Sequence, residues 1–143
     1  LDTNGSCLAT ITGRQFENAT IKLKLKILND YEDNQNWAGI LLRKTNATDD
    51  FINSGILFYY RNNGQICLYK HGVGDLQTCD TGIIPNKFVD VKIVMNGGNY
   101  KVYINGSKTA SLDVTDTTYT SGFISLRTNA SNSRFDNIVI TPL

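Results

Sequence analysis

Trp37, the chain's only tryptophan, opens an alternating apolar run that closes on Arg43. An indole offers a flat apolar face to the C–H side of a sugar ring. A guanidinium offers a planar fork that spans two neighbouring hydroxyls. Carboxylates complete such a grip as acceptors, and Glu32, Asp33, Asp49 and Asp50 stand on the polar stretches beside the run. Tyr59 and Tyr60 are adjacent in a later run, so they point to opposite faces and only one can line a given surface. The same holds for Tyr69 and Lys70. This set suits shallow binding of a neutral polyol. Arg43 would hold paired hydroxyls, Trp37 or Tyr59 would pack on the ring, and Tyr69 and an acid from Glu32–Asp33 or Asp49–Asp50 would close the grip. On that reading Arg43→Lys should weaken binding and leave the fold intact. Each residue also has a plainer reading: Trp37 as a half-buried core side chain, Arg43 as the ion-pair partner of Asp49 or Asp50, the acids as solvated loop charges.

Catalysis finds less support. Glycoside hydrolysis asks for two carboxyl groups at a set separation, one of them held protonated. The chain has two glutamates, Glu17 and Glu32, and no spacing nominates a pair among its carboxylates. His71, the sole histidine, lies in a glycine-flanked turn rather than beside an acid and a nucleophile. Zinc-ligand, phosphate-loop and dinucleotide spacings are absent. These residues argue for a binding domain, not an enzyme.

The totals agree. Fourteen basic against thirteen acidic side chains leave a net charge of +1, which gives no footprint for nucleic acid or an anionic membrane. No apolar run is long enough to span a bilayer. A length of 143 residues suits a single domain, 1–143, with one core. The chain begins at Leu1 and is rich in asparagine, with sixteen, as polar extracellular β-domains are. The expectation is a piece of a longer secreted or cell-surface protein. N-x-[ST] triplets begin at Asn4, Asn18, Asn46, Asn105 and Asn129; in so asparagine-rich a chain, chance accounts for them more readily than glycosylation.

Three cysteines occur, at Cys7, Cys67 and Cys79. The last two flank a hairpin that turns around His71-Gly72-Val73-Gly74. A five-residue loop would set Cys67 opposite Cys79 and allow a cross-strand disulfide, whereas a four-residue loop leaves them one place out of register. Cys7 reads as a small buried apolar residue.

Positioning these groups falls to strands. Ile21, Leu23, Leu25 and Ile27 alternate with Lys22, Lys24 and Lys26, giving one dry and one wet face. Val89, Val91, Ile93 and Met95 repeat the pattern. Asn105-Gly106 is a strong two-residue hairpin signal after Tyr100–Ile104. Further strands are expected at 7–12, 37–43, 55–61, 65–70, 107–114, 121–128 and 134–140, with no helical periodicity anywhere. Many short strands separated by turn signals predict an all-β, antiparallel two-sheet sandwich. Ile21, Leu23, Leu25, Ile27, Val91, Ile93, Val102, Ile104 and Ile138 are expected to face inward.

Several stretches, in this order, resemble one family. They are Phe16-Glu-Asn-Ala-Thr-Ile-Lys-Leu, Trp37-Ala-Gly-Ile-Leu-Leu-Arg43, Gly64-Gln-Ile-Cys-Leu-Tyr-Lys70, Tyr100-Lys-Val-Tyr-Ile-Asn-Gly106 and Phe135-Asp-Asn-Ile-Val-Ile140. Together they are similar to the concanavalin-like, jelly-roll carbohydrate-binding modules of family 66, which bind fructans such as levan and are attached to glycoside hydrolases. Broader relatives are laminin-G-like sandwiches, often adhesion or protein-interaction domains, and a bacterial domain of the keto-disaccharide hydrolase type. The resemblance implies a module carried beside a catalytic domain, with its arginine at Arg43 and an aromatic at Tyr59. Jelly-roll modules also often hold a structural calcium between an early acid and the last strand. Here that implies Asp136 with Glu17 or Asp2. No other cofactor is implied.

Overall fold

The alternation of Ile21 to Ile27 with three lysines can be satisfied only by a strand dry on one side and wet on the other. That strand is the third of twelve in the computed structural model, which describes residues 1–3, 5–28, 36–48, 53–83 and 85–143. In chain order the strands are β1 (Asp2–Thr3), β2 (Leu8–Thr10), β3 (Ala19–Ile27), β4 (Trp37–Lys44), β5 (Ile56–Arg61), β6 (Gln65–Lys70), β7 (Gly74–Asp80), β8 (Val89–Asn96), β9 (Asn99–Ile104), β10 (Leu112–Thr115), β11 (Phe123–Asn129) and β12 (Ser133–Pro142). They form two antiparallel six-stranded sheets. The first runs β1-β12-β3-β8-β9-β10 and the second β2-β11-β4-β5-β6-β7.

The inner faces meet in one apolar core. Ile21, Leu25, Ile93 and Val102 of the first sheet are fully buried against Ile40, Leu42, Phe58 and Leu68 of the second. Of the residues expected inside, all are buried except Ile138, which is 37% exposed. The reason is a bulge. Asp136 pairs with Lys24 but Val139 pairs with Lys22, so β12 carries one extra residue, and Asn137 sits there at φ 50°. Counting by twos from Ile140 back to Ile138 therefore fails.

At one edge the sheets are tied by charge. Lys70 at the end of β6 donates to Asp116 just past β10, Nζ to Oδ2 at 2.7 Å, with both side chains largely covered. Burial pushes the Asp116 carboxyl up. The Lys70 hydrogen bond and two donations from Thr118 outweigh it, so the group ends below its ordinary value. A depressed carboxyl contributes stability that is present above its unfolded pKa, about 4, and is lost as pH falls through the folded value. Asp116→Asn is therefore expected to flatten the decline of stability below about pH 4, measured by urea unfolding across the acid range. An acid limb identical to wild type would show that the tie contributes nothing.

Candidate functional site

The second sheet has an outer face that is not simply wet. Leu41, Leu57, Tyr59 and Cys67 form a buried cluster separate from the main core, and Trp37 and Tyr69 pack against it half-buried. Strand register explains the grouping. Trp37 faces Arg61 across β4–β5, Gly39 faces Tyr59, and Leu41 faces Leu57. Across β5–β6, Tyr59 faces Cys67 and Leu57 faces Tyr69. Across β6–β7, Tyr69 faces Asp75. On the other side, β11 sets Asn129 beside Trp37 and Arg127 beside Gly39.

Polar groups are threaded through this surface in a fixed order. Arg61 donates from Nη1 to Gln65 Oε1 at 2.7 Å and from Nη2 to the Tyr59 hydroxyl at 2.9 Å. The Tyr59 hydroxyl donates in turn to Asp75 Oδ1 at 2.9 Å. The Arg61 guanidinium lies 5.0 Å from the Tyr59 ring centre, and the Trp37 ring is 5.5 Å from it at 36°. Tyr59 is only 4% exposed, so it aligns Arg61 and Asp75 rather than offering its own ring. Burial, together with Cys67 and Asp75, holds the phenol protonated well above its ordinary range. Burial likewise pushes the Cys67 thiol up to about 12. The rings left partly open on this face are Trp37, set across from Arg61, and Tyr69. Beyond Gly39 the surface continues into a polar groove of roughly 410 Å³ lined by Ser6, Thr10, Thr48 and Arg127.

Trp37, Tyr59 and Tyr69 are thus brought together as the sequence suggested, and Trp37 is half-buried on the outer face instead of in the core. Arg43 is elsewhere. Its backbone is left-handed, φ 55°, at a bulge where Phe123 pairs with Lys44 but Ser125 pairs with Leu41. The extra residue turns the side chain in between the sheets, leaving it 1% exposed. All five of its N–H groups find oxygen there. Nε and Nη2 donate to Glu17 O, Nη1 to the Tyr100 hydroxyl (2.9 Å) and Tyr119 O (2.6 Å), and Nη2 also to Gly97 O (2.6 Å). No donor is left for a ligand, so the expected gripping role is corrected to a structural one. Gly122 makes room for this bulge, since a Cβ there would stand 2.4 Å from the Arg43 carbonyl carbon.

Glu32, Asp33, Asp49 and Asp50 lie outside the described residues. Asp136 and Glu17 do not converge. Asp136 pairs with Lys24, whereas Glu17 precedes Ala19 at the far end of β3, and among the described residues no three metal-binding side chains cluster. The disulfide is also corrected. Cys67 and Cys79 are both free. A three-residue turn sets Lys70 against Gly74, and a bulge at Leu76 brings Thr78, not Cys79, opposite Cys67. Cys67 joins the outer cluster and Cys79 packs on the core side. What sequence reasoning missed is Arg61, Gln65, Asp75 and Arg127. Arg61 was reachable, because it sits two residues beyond Tyr59 and must share its face.

The two facing sheets define an antiparallel jelly-roll β-sandwich. The chain belongs to the 3-keto-α-glucoside-1,2-lyase-like domain family, whose sequence profile matches residues 2–141. No curated protein matches it in sequence. Among solved structures it is similar to the carbohydrate-binding module CBM66 from Bacillus subtilis, with a TM-score of 0.78 and 16% identity over 96% of this chain and 83% of that one. It is also similar to a putative glycosyl hydrolase from Parabacteroides distasonis, with a TM-score of 0.71 and 14% identity over 99% and 79%. Sheep galectin-11 superposes with a TM-score of 0.62 and 13% identity over 97% and 99%. At such identities these likenesses establish the jelly-roll sandwich.

Proposed function

We propose that this domain is a non-catalytic carbohydrate-binding module that holds a neutral glycan, a fructan, on the outer face of its second sheet. It would serve a secreted protein that also carries a glycoside hydrolase, and its grip uses side chains without a cofactor. The observation that carries the reading is the Trp37–Arg61–Tyr59–Asp75 array. It sets a partly open ring beside an aligned guanidinium, and both donors and acceptors are within reach of one sugar.

The family's name favours a second reading, a lyase on 3-keto-glucosides. Such an elimination needs a base for the proton next to the ketone, with a pKa near the working pH. On the described part of the face Tyr59 and Cys67 are held protonated, and Asp75 is engaged as acceptor for Tyr59. That chemistry suits binding better.

Calorimetric titration with levan, inulin and other neutral glycans, paired with an assay for product release, separates the two. Saturable binding without turnover is expected, insensitive to salt and to a metal chelator. Trp37→Ala should weaken it by about 1–3 kcal/mol, and Arg61→Ala by a similar amount. Product release, or undiminished binding in both variants, would overturn the module reading at this face.

A further inference from the structure

The first sheet also has an outer face, and its charges are unevenly settled. Across β12, β3, β8 and β9 the rows of outward side chains can be read from the register. One row joins Asp136, Lys24 and Asp90, and Lys24 Nζ lies 3.4 Å from Asp90. Another joins Val94 and Lys101, and Lys101 Nζ lies 3.3 Å from Asp113. Between them runs Val139–Lys22–Lys92–Tyr103. Here two lysines stand directly opposite each other in mid-strand with no acid beside them in the row. Like charges so placed destabilise a sheet. Lys92 rests its ammonium 4.9 Å from the Tyr103 ring centre, and Lys22 has no ion-pair partner among the described residues.

This row floors a groove of roughly 700 Å³. Its walls are two irregular pieces of backbone. On one side is the turn after β9, Gly106-Ser107-Lys108, which adds a third exposed cation. On the other is the β12 bulge with Asn137 and Val139. Asp90 also lines the groove, but it is engaged by Lys24. Bulges are over-represented at sheet edges and beside functional sites, where they re-aim side chains.

We infer that this groove, on the sheet opposite the Trp37 face, binds an acidic polysaccharide, with sugar carboxylates seated between Lys22 and Lys92 and reached by Lys108. The partner is a charged glycan rather than a membrane or a nucleic acid for two reasons. The domain's net charge of +1 supplies no broad basic field, and Lys22, Lys92 and Lys108 share one groove. That groove also offers what sugar hydroxyls and ring faces need, the Asn137 amide and the flank of Tyr103.

The test is binding of polygalacturonate at low salt to the whole domain, its Lys22→Gln/Lys92→Gln double variant and Trp37→Ala. Wild type should bind, and binding should fall by about tenfold or more between about 50 and 500 mM salt as charges are screened. The double variant should lose about tenfold or more in affinity and melt no lower than wild type, since the change relieves repulsion. Trp37→Ala should bind polygalacturonate as wild type does, which separates this groove from the neutral-glycan face. Equal binding by the double variant, no binding by wild type at low salt, or binding to phosphatidylserine vesicles in place of the polyuronate would each overturn the inference.

Discussion

Arg43→Ala is expected to cost about 3–5 kcal/mol of unfolding free energy. The guanidinium is sealed between the sheets, and its bonds join β4 to the backbone at Glu17, Gly97 and Tyr119 and to the Tyr100 hydroxyl. Truncation removes the shared donor of these oxygens, and the buried Tyr100 hydroxyl in particular carries a desolvation penalty. Domains of this size hold about 5–15 kcal/mol in all, so a drop in melting temperature of roughly 10 °C follows. Arg43→Lys should rescue only part of the loss. One ammonium has three donors and no planar fork, and it cannot reach acceptors spread around the edge of the guanidinium. Thermal and urea unfolding of both variants checks this. A midpoint within a degree of wild type for Arg43→Ala would mean that the arginine is not internal.

Gly39→Ala should be comparably severe for a different reason. A methyl group there would stand 1.9 Å from the Phe58 carbonyl oxygen and 2.7 Å from the Tyr59 Cα. Both are backbone atoms of the neighbouring strand, so no rotamer change relieves the clash, and β4 and β5 must part. The expected cost is about 4 kcal/mol or more. Because Gly39 pairs with Tyr59 on one side and Arg127 on the other, sugar binding should fail along with stability. Denaturant unfolding and the dispersion of the amide NMR spectrum report on it. A variant as stable as wild type, with unchanged strand pairing, would contradict the close approach.

Much of the architecture was legible because alternation is a local property. The dry and wet faces of β3 and β8, the Asn105-Gly106 turn and the sandwich itself all follow from residues a few positions apart. The misreadings share one cause. Arg43, Ile138 and the Cys67–Cys79 pair each lie at or just past a bulge, and one extra residue inverts every inference drawn from parity beyond it. Whether a strand bulges depends on its partner across the sheet, as Gly122 does for Arg43, and periodicity within one strand does not carry that information. The aromatic half of the site was therefore visible, while the guanidinium serving it was sought one strand too early, at Arg43 instead of Arg61.

The strand order also bears on how the chain reaches its native state. β11 lies between β2 and β4, and β12 between β1 and β3. The last two strands of the sandwich in chain order thus take interior places in the two sheets. Until residues 123–142 emerge, β3 and β4 each present a long unpaired edge, and the N-terminal strands have nothing to pair with. Folding must wait for nearly the whole chain, and the contacts that complete it span almost its full length. That places the domain among the slow folders, on the order of milliseconds to seconds. In that interval the alternating lysines of β3, Lys22, Lys24 and Lys26, leave its open edge flanked by charge, which discourages pairing with a second copy.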